Sequence, residues 1–287
     1  MALPCAGITR PPICGIHVAV DDERSVAVSP RHRVVLAREL LVLLERAPRT
    51  DFVVRTLAKR EANGMPLMTA EMVVASEETR QLHPAAATYP LHFRKTYFPG
   101  RLHGDPRDEY ENHLRASQLC PSVPMPIGYG DNVFRSCLIP GRPYSRLTPF
   151  GSDPPESNIA IAQKRPLAEM AGLWRLAEEM FTQLLSLHEG GLAHGDAELH
   201  NCIVCPAPLE SVLIDFEAAV RRDTVDEAAW EKRCGLDLEP LLREGVYLQC
   251  ALGQQTSPFG AASLSRLSQL FKAPESFKRA IEVQAYV

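Results

Sequence analysis

Residues 192–205 read Leu-Ala-His-Gly-Asp-Ala-Glu-Leu-His-Asn-Cys-Ile-Val-Cys, and residues 212–219 read Val-Leu-Ile-Asp-Phe-Glu-Ala-Ala. Asp196 lies five residues before Asn201, and Asp215 lies fourteen after it. Cys202–Cys205 and Val212–Ile214 are short apolar runs separated by Pro206 and Pro208, so they predict two strands joined by a turn. Such a hairpin carries Asn201 and Asp215 to one end, with Asp196 nearby. Three oxygen-bearing side chains then share a loop edge. That set suits Mg²⁺, which takes oxygen ligands, keeps waters, and needs only one or two protein side chains when phosphates complete the shell. Asp196 is left to orient or deprotonate an acceptor hydroxyl, and phosphoryl transfer asks little more of a protein than positioning and charge neutralisation.

His194-Gly195-Asp196-x-x-x-x-Asn201 followed by Ile214-Asp215-Phe216-Glu217 resembles the catalytic loop and metal-binding motif of the protein-kinase-like superfamily. Gly195 stands where ordinary protein kinases carry Arg, and Glu217 where they carry Gly. In both respects the pair is similar to aminoglycoside and choline kinases and to some atypical protein kinases. The resemblance spans about residues 50–250, and residues 192–217 are its specific part. It implies an α+β, two-lobed fold with ATP and Mg²⁺ in the cleft. A small antiparallel sheet forms the N-lobe at 51–139, and a mostly helical C-lobe covers 140–287. Residues 1–50 form an extension with one helix. By resemblance, Asp196 is the base, Asn201 and Asp215 hold metal, and His194 supports the loop by hydrogen bonding. Glu217, Glu198 and His200 are further candidates for contact with metal, acceptor or phosphate.

Residues 51–57, 67–75 and 89–98 predict strands. In the last, Leu91, Phe93, Lys95 and Tyr97 alternate onto one face. By the kinase resemblance, Lys95 is the candidate phosphate-contacting lysine, held by an acid on the helix predicted at 108–119. Glu111 is preferred over Glu109 for that partner, because it sits closer to Tyr110 and Leu114, the expected apolar anchors. No Gly-x-Gly-x-x-Gly joins the early strands; the turn at Arg60–Met65 carries only Gly64. Residues 123–130 and 133–139 predict a strand pair turned at Asp131-Asn132. The resemblance implies that the chain crosses between lobes here, with backbone groups around Leu138, Ile139 and Gly141 facing the adenine ring. The helix at 166–188 has apolar residues at helical spacing and stops at Gly190-Gly191. Asp237 is either a support for the catalytic loop or a surface N-cap. Helices are also expected at 31–46, 225–233, 235–242, 247–252, 262–271 and 276–287, and a small hairpin of 16–20 with 26–28. Residues 145–165, polar and Pro-rich, predict a surface loop.

The 287 residues are 45% hydrophobic and 23% charged, enough for one large domain or two lobes, and the net charge of −4 gives no basic balance for nucleic acid or membrane. No run of eighteen apolar residues predicts a membrane span, and no charged-then-apolar leader predicts secretion. Eight scattered cysteines fit reduced thiols in a cytoplasmic protein. Cys202 and Cys205, three apart on a strand, face opposite sides and read as packing residues.

Three functions follow, in order. The first is a kinase acting on a hydroxyl-bearing small molecule, favoured by Gly195, Glu217 and the lack of an Ala-Pro-Glu motif or long activation segment. The second is an atypical protein serine/threonine kinase, and the third a nucleotide-binding pseudokinase.

Overall fold

The structure is a computed structural model that describes residues 17–18, 25–62, 64–98, 105–144, 167–206 and 209–252. The helices expected at 262–271 and 276–287 and the loop at 145–165 lie outside the described residues. The fold is α+β, and among the described residues every strand pairing is antiparallel. Among the described residues no helix is long and apolar enough to cross a membrane.

The N-terminal part holds β1 (His17–Val18), β2 (Ser25–Ala27), β3 (Arg33–Val35) and α1 (Arg38–Glu45). The expected pairing of 16–20 with 26–28 does not form: β1 and β2 both pair with β3. The helix expected from residue 31 starts only at Arg38. The β-branched Val34 and Val35 favour a strand, and Ser29 uses its hydroxyl in the loop, accepting from the backbone N–H groups of Arg31 and His32.

A five-stranded sheet follows, in order β4-β5-β6-β8-β7, from β4 (Phe52–Ala62), β5 (Met65–Val74), β6 (Leu91–Tyr97), β7 (Pro126–Gly130) and β8 (Val133–Cys137). Two short helices not foreseen from the sequence, α2 (Glu77–Leu82) and α3 (Pro84–Thr88), connect β5 to β6. Ser76 caps α2 by accepting from the Thr79 N–H, and Pro84 opens α3. Register fixes the faces of the sheet. Lys95 pairs with Ala70 and Phe134, and Leu91 with Val74, so Leu91 and Lys95 share a face. Val28, Val34 and Leu36 of the N-terminal part cover one end of that face, over Met72, Val74, Leu91 and Leu138.

The helix α4 (Pro106–Leu119) starts on an Asp105 cap with Pro106 in its first turn. The remaining elements are β9 (Arg142–Pro143), α5 (Leu167–Glu189), β10 (Leu192–Ala193), β11 (Cys202–Pro206), β12 (Leu209–Leu213), β13 (Val220–Arg221) and α6 (Glu227–Leu252). The predicted β11–β12 hairpin forms, pairing Cys202 with Leu213 and Ile203 with Val212. The expected 225–252 pieces merge into one helix through Gly235 and Pro240. The larger core gathers Leu176, Met180, Phe181 and Leu184 of α5 with Leu192, Leu213, Phe216, Trp230 and Leu238. Full burial of such side chains contributes about 1.5–3 kcal/mol each.

Candidate functional site

The site forms where the Lys95 face of the sheet meets α4 and the loops on either side of the β11–β12 hairpin. Lys95, 3% exposed, points its ammonium at three carboxylates: Glu109 Oε1 at 3.2 Å, Asp215 Oδ1 at 2.6 Å and Glu217 Oε2 at 2.5 Å. Tyr97, two residues along the strand on the same face, donates its hydroxyl to Glu109 and, at 3.4 Å, to Glu217. Three segments meet here, and the one that carries Asp215 and Glu217 lies 120 residues or more along the chain from Lys95.

Glu111, the preferred partner for Lys95, is not that partner. It is 38% exposed at its side chain and pairs with Arg107 and Arg221, each at 3.0 Å. Glu109 takes the role because α4 buries the stripe of Glu109, Asn112, His113 and Ala116, three and four residues apart, and leaves the expected anchor Leu114 exposed. Asn112 donates from Nδ2 to the Phe216 carbonyl at 3.2 Å, and the His113 ring packs edge-on against Phe216 at 4.9 Å. The polar stripe therefore docks α4 on the segment that carries Asp215 and Glu217.

One ammonium faces three carboxylates, so negative charge is in surplus. Burial pushes the Glu109 carboxyl up to about 8, with Lys95 offsetting part of the shift. Asp215 is also penalised by burial, yet the Lys95 charge and hydrogen bond hold it below the ordinary carboxylate range. Burial works against the Lys95 ammonium too, but Glu109, Asp215 and Glu217 outweigh it and raise its pKa. Glu109, the least exposed carboxylate of the three, thus holds its proton to a higher pH than an ordinary glutamate, and Lys95 stays charged.

Asp215 has φ 69°, the left-handed region that a side chain other than glycine seldom adopts. Such strain persists only where neighbours impose it. Here Phe216 is fully buried against His194, centroids 4.5 Å apart, and the His194 Nε2 lies 3.0 Å from the Ile214 carbonyl. His194 thus links the two motifs structurally. Asn201 donates from Nδ2 to the Asp196 carbonyl and to its Oδ2, both at 2.9 Å, and the Asn201 carbonyl accepts from the Ile214 N–H at 2.9 Å. The Asp196 carboxylate is half-buried, within reach of a ligand.

Asp237, 1% exposed, underlies this loop. It accepts from the backbone N–H groups of His194 at 2.6 Å and Gly195 at 2.9 Å, and its Oδ2 lies 3.0 Å from His188 Nε2. Of the two roles open to it in the sequence, loop support is the one observed. Gly195 has φ 83°, and a Cβ there would lie 1.9 Å from the Ala218 carbonyl oxygen, so the backbone demands glycine.

Of Leu138 and Ile139, whose backbone groups are expected to face a base, Leu138 has its N–H engaged elsewhere. The Leu138 N–H donates to the Val28 carbonyl at 3.1 Å and its side chain is buried against the N-terminal hairpin. Ile139 borders a cavity of about 210 Å³ shared with residues 29–32 and the connection from α4 to β7. The cause is the N-terminal part, which packs at this end of the sheet.

Asn201, Asp215 and Glu217 carry oxygen atoms, the donor type that a hard divalent cation takes, and the Lys95 ammonium lies 2.6 Å from Asp215 and 2.5 Å from Glu217. No family model matches the chain, and no curated protein matches it either.

Proposed function

We propose that the chain is a two-lobed, protein-kinase-like phosphotransferase that uses ATP and Mg²⁺ and phosphorylates the hydroxyl of a small molecule. The observation that carries the reading is the convergence on Lys95 of Glu109, Asp215 and Glu217, beside a half-buried Asp196 held by Asn201. Asn201 and Asp215, with Glu217, would hold Mg²⁺, which supplies charge neutralisation for the phosphates. Lys95 contacts the phosphates and Glu109 positions it. The Asp196 carboxylate takes the proton of the acceptor hydroxyl. The acceptor oxygen bonds the γ-phosphorus, the bond from that phosphorus to the bridging oxygen breaks, and ADP leaves.

The turn between β4 and β5 has a single glycine, so backbone N–H groups alone are a poor cradle for phosphates. Register offers a substitute. Arg60 pairs with Met68, and Met68 with Tyr97, so Arg60 is on the face of the sheet that carries Lys95 and Tyr97. It is exposed there and supplies a second cation.

Asp215 connects to α6 through two short 3-10 turns and β13. That compact connection favours a small-molecule kinase over one switched by loop phosphorylation. A protein acceptor is the second reading, favoured because α6 is the one α-helix that follows among the described residues, leaving few elements to enclose a small molecule.

The test is ATP turnover with Mg²⁺ in wild type, Asp196→Asn and Asp215→Asn, following labelled phosphate onto proteins and small metabolites. Transfer that is lost in both variants supports the proposal and separates its two acceptor classes. Nucleotide binding with no transfer supports a pseudokinase, and no nucleotide binding refutes the reading altogether.

A further inference from the structure

Away from Lys95, the β11–β12 hairpin pairs Cys205 with Glu210. Directly opposed residues on antiparallel strands place their Cβ atoms about 4.5–5.5 Å apart on one face. His32, from the loop between β2 and β3, meets them there, with Nε2 2.8 Å from Glu210 Oε1. One ligand atom from each of His32, Cys205 and Glu210 lies within 4.8 Å of the other two. Cys205 is fully buried and His32 nearly so. The imidazole is held by its other nitrogen, Nδ1, which lies 2.8 Å from the Ser29 hydroxyl, so Nε2 is the atom aimed at the cluster. The second oxygen of Glu210 is paired with Arg31 at 2.5 Å. None of these side chains is needed for the chemistry proposed above.

We propose that His32, Cys205 and Glu210 are ligands of a zinc site that fastens the N-terminal hairpin to the β11–β12 hairpin, with water as fourth ligand. The donor set is one thiolate, one imidazole and one carboxylate, which suits tetrahedral Zn²⁺ rather than Mg²⁺ or Ca²⁺. Zinc–ligand distances of about 2.0–2.3 Å require donor atoms roughly 3.3–3.7 Å apart in a tetrahedron, so small side-chain rotations suffice. On binding, Cys205 releases its thiol proton to solvent. His32 binds as neutral imidazole through Nε2: the proton that Nε2 shares with Glu210 leaves to solvent, Nδ1 takes one up and donates it to the Ser29 hydroxyl oxygen, and Glu210 exchanges its hydrogen bond from His32 for the metal through Oε1. No oxidant or reductant is involved. Ser29 and Arg31 remain on the outer atoms of His32 and Glu210, the arrangement that fixes ligand orientation in zinc sites. A cavity of about 210 Å³ is bordered by Arg31 and His32, on the His32 side of the cluster; Cys205 and Glu210 do not line it. Cys202 takes no part: it lies three residues along the strand, opposite Leu213.

The alternative is a hydrogen-bonded His–Glu–Arg cluster beside a packing cysteine, and metal titration separates the two. The chelator-treated full-length chain is titrated with zinc and, separately, with cobalt. The expected result is one equivalent bound. Cobalt gives a thiolate charge-transfer band in the near ultraviolet and the strong visible bands of a tetrahedral site. Both are lost in Cys205→Ser and His32→Ala, and Ser29→Ala weakens zinc binding about 10–100-fold. Zinc raises the unfolding temperature of wild type and not of Cys205→Ser, whose small change of shape preserves folding, as circular dichroism verifies. Less than stoichiometric zinc, or binding that Cys205→Ser leaves unchanged, overturns the proposal. Either result leaves the kinase reading standing, since that reading is tested by phosphate transfer.

Discussion

Replacing Asp237 with Asn tests whether one buried carboxylate holds the loop of Gly195 and Asp196 in place. Its two oxygens serve three donors: Oδ2 accepts from the His194 N–H and lies within bonding distance of His188 Nε2, and Oδ1 accepts from the Gly195 N–H. Asn exchanges one acceptor for an NH₂ group. In the less damaging orientation the amide oxygen keeps His194 and His188, and the Gly195 N–H faces another donor. That removes one charge-assisted hydrogen bond and strands a donor in a site only 1% exposed. A bond to a charged group is worth about 1.5–3 kcal/mol, and an unsatisfied buried donor costs about 1–3 kcal/mol. The two descriptions overlap, so the expected loss is about 2–3 kcal/mol. Asp237→Ala strands all three donors and costs about 4–5 kcal/mol. Urea unfolding of the three proteins gives these differences, and hydrogen exchange of the His194 and Gly195 amides localises them. If Asp237→Asn unfolds within 0.5 kcal/mol of wild type, as an ordinary surface change does, and both amides keep their protection, the anchoring role is wrong.

Glu109→Gln is expected to gain stability relative to wild type as pH rises from about 5 to about 8. The native Glu109 carboxyl holds its proton to about 8, whereas its ordinary value is 4.5. Across that window the unfolded chain has lost a proton the native chain retains, so wild-type stability falls by up to about 1.4 kcal/mol per pH unit, and the Gln variant lacks this slope. Paired unfolding curves at pH 5 and 8 measure it; parallel behaviour of the two proteins would rule it out. Glu111→Gln, by contrast, is expected to cost under about 1 kcal/mol, since its ion pairs are on the surface, and to leave phosphate transfer intact. Gly195→Ala is expected to lose transfer and destabilise, because both φ and the Ala218 carbonyl oppose a Cβ; a fully active, stable variant would contradict the backbone argument. Arg60→Ala is expected to raise KM for ATP several-fold with kcat retained, and an unchanged KM would remove Arg60 from the phosphate site.

Much of the site could be read from residue spacing because the β11–β12 hairpin is local. A short turn between two apolar runs is enough to bring Asn201 and Asp215 to one end, and the pairing of Cys202 with Leu213 shows it. Period-two alternation likewise put Leu91, Lys95 and Tyr97 on one face, and register agrees. What failed were choices that depend on partners far along the chain. Nearness to apolar residues favours Glu111 in the sequence, but α4 docks through Asn112 and His113 on Phe216, a surface the helix sequence does not encode. The expectation that Leu138 faces a base rests on order along the chain in the kinase resemblance, and Val28 takes its N–H.

The sequence by itself determined the local devices: the α+β mixture, the hairpin, the strand of Lys95 and the two acidic motifs. They rest on periodicity, turn chemistry and spacing, which act over a few residues. Only the tertiary structure decided which acid meets Lys95, what Asp237 supports, and that His32 lies against Cys205 and Glu210. Those outcomes depend on which faces of α4, α6 and the N-terminal hairpin are buried, and burial is settled by the whole chain packing at once.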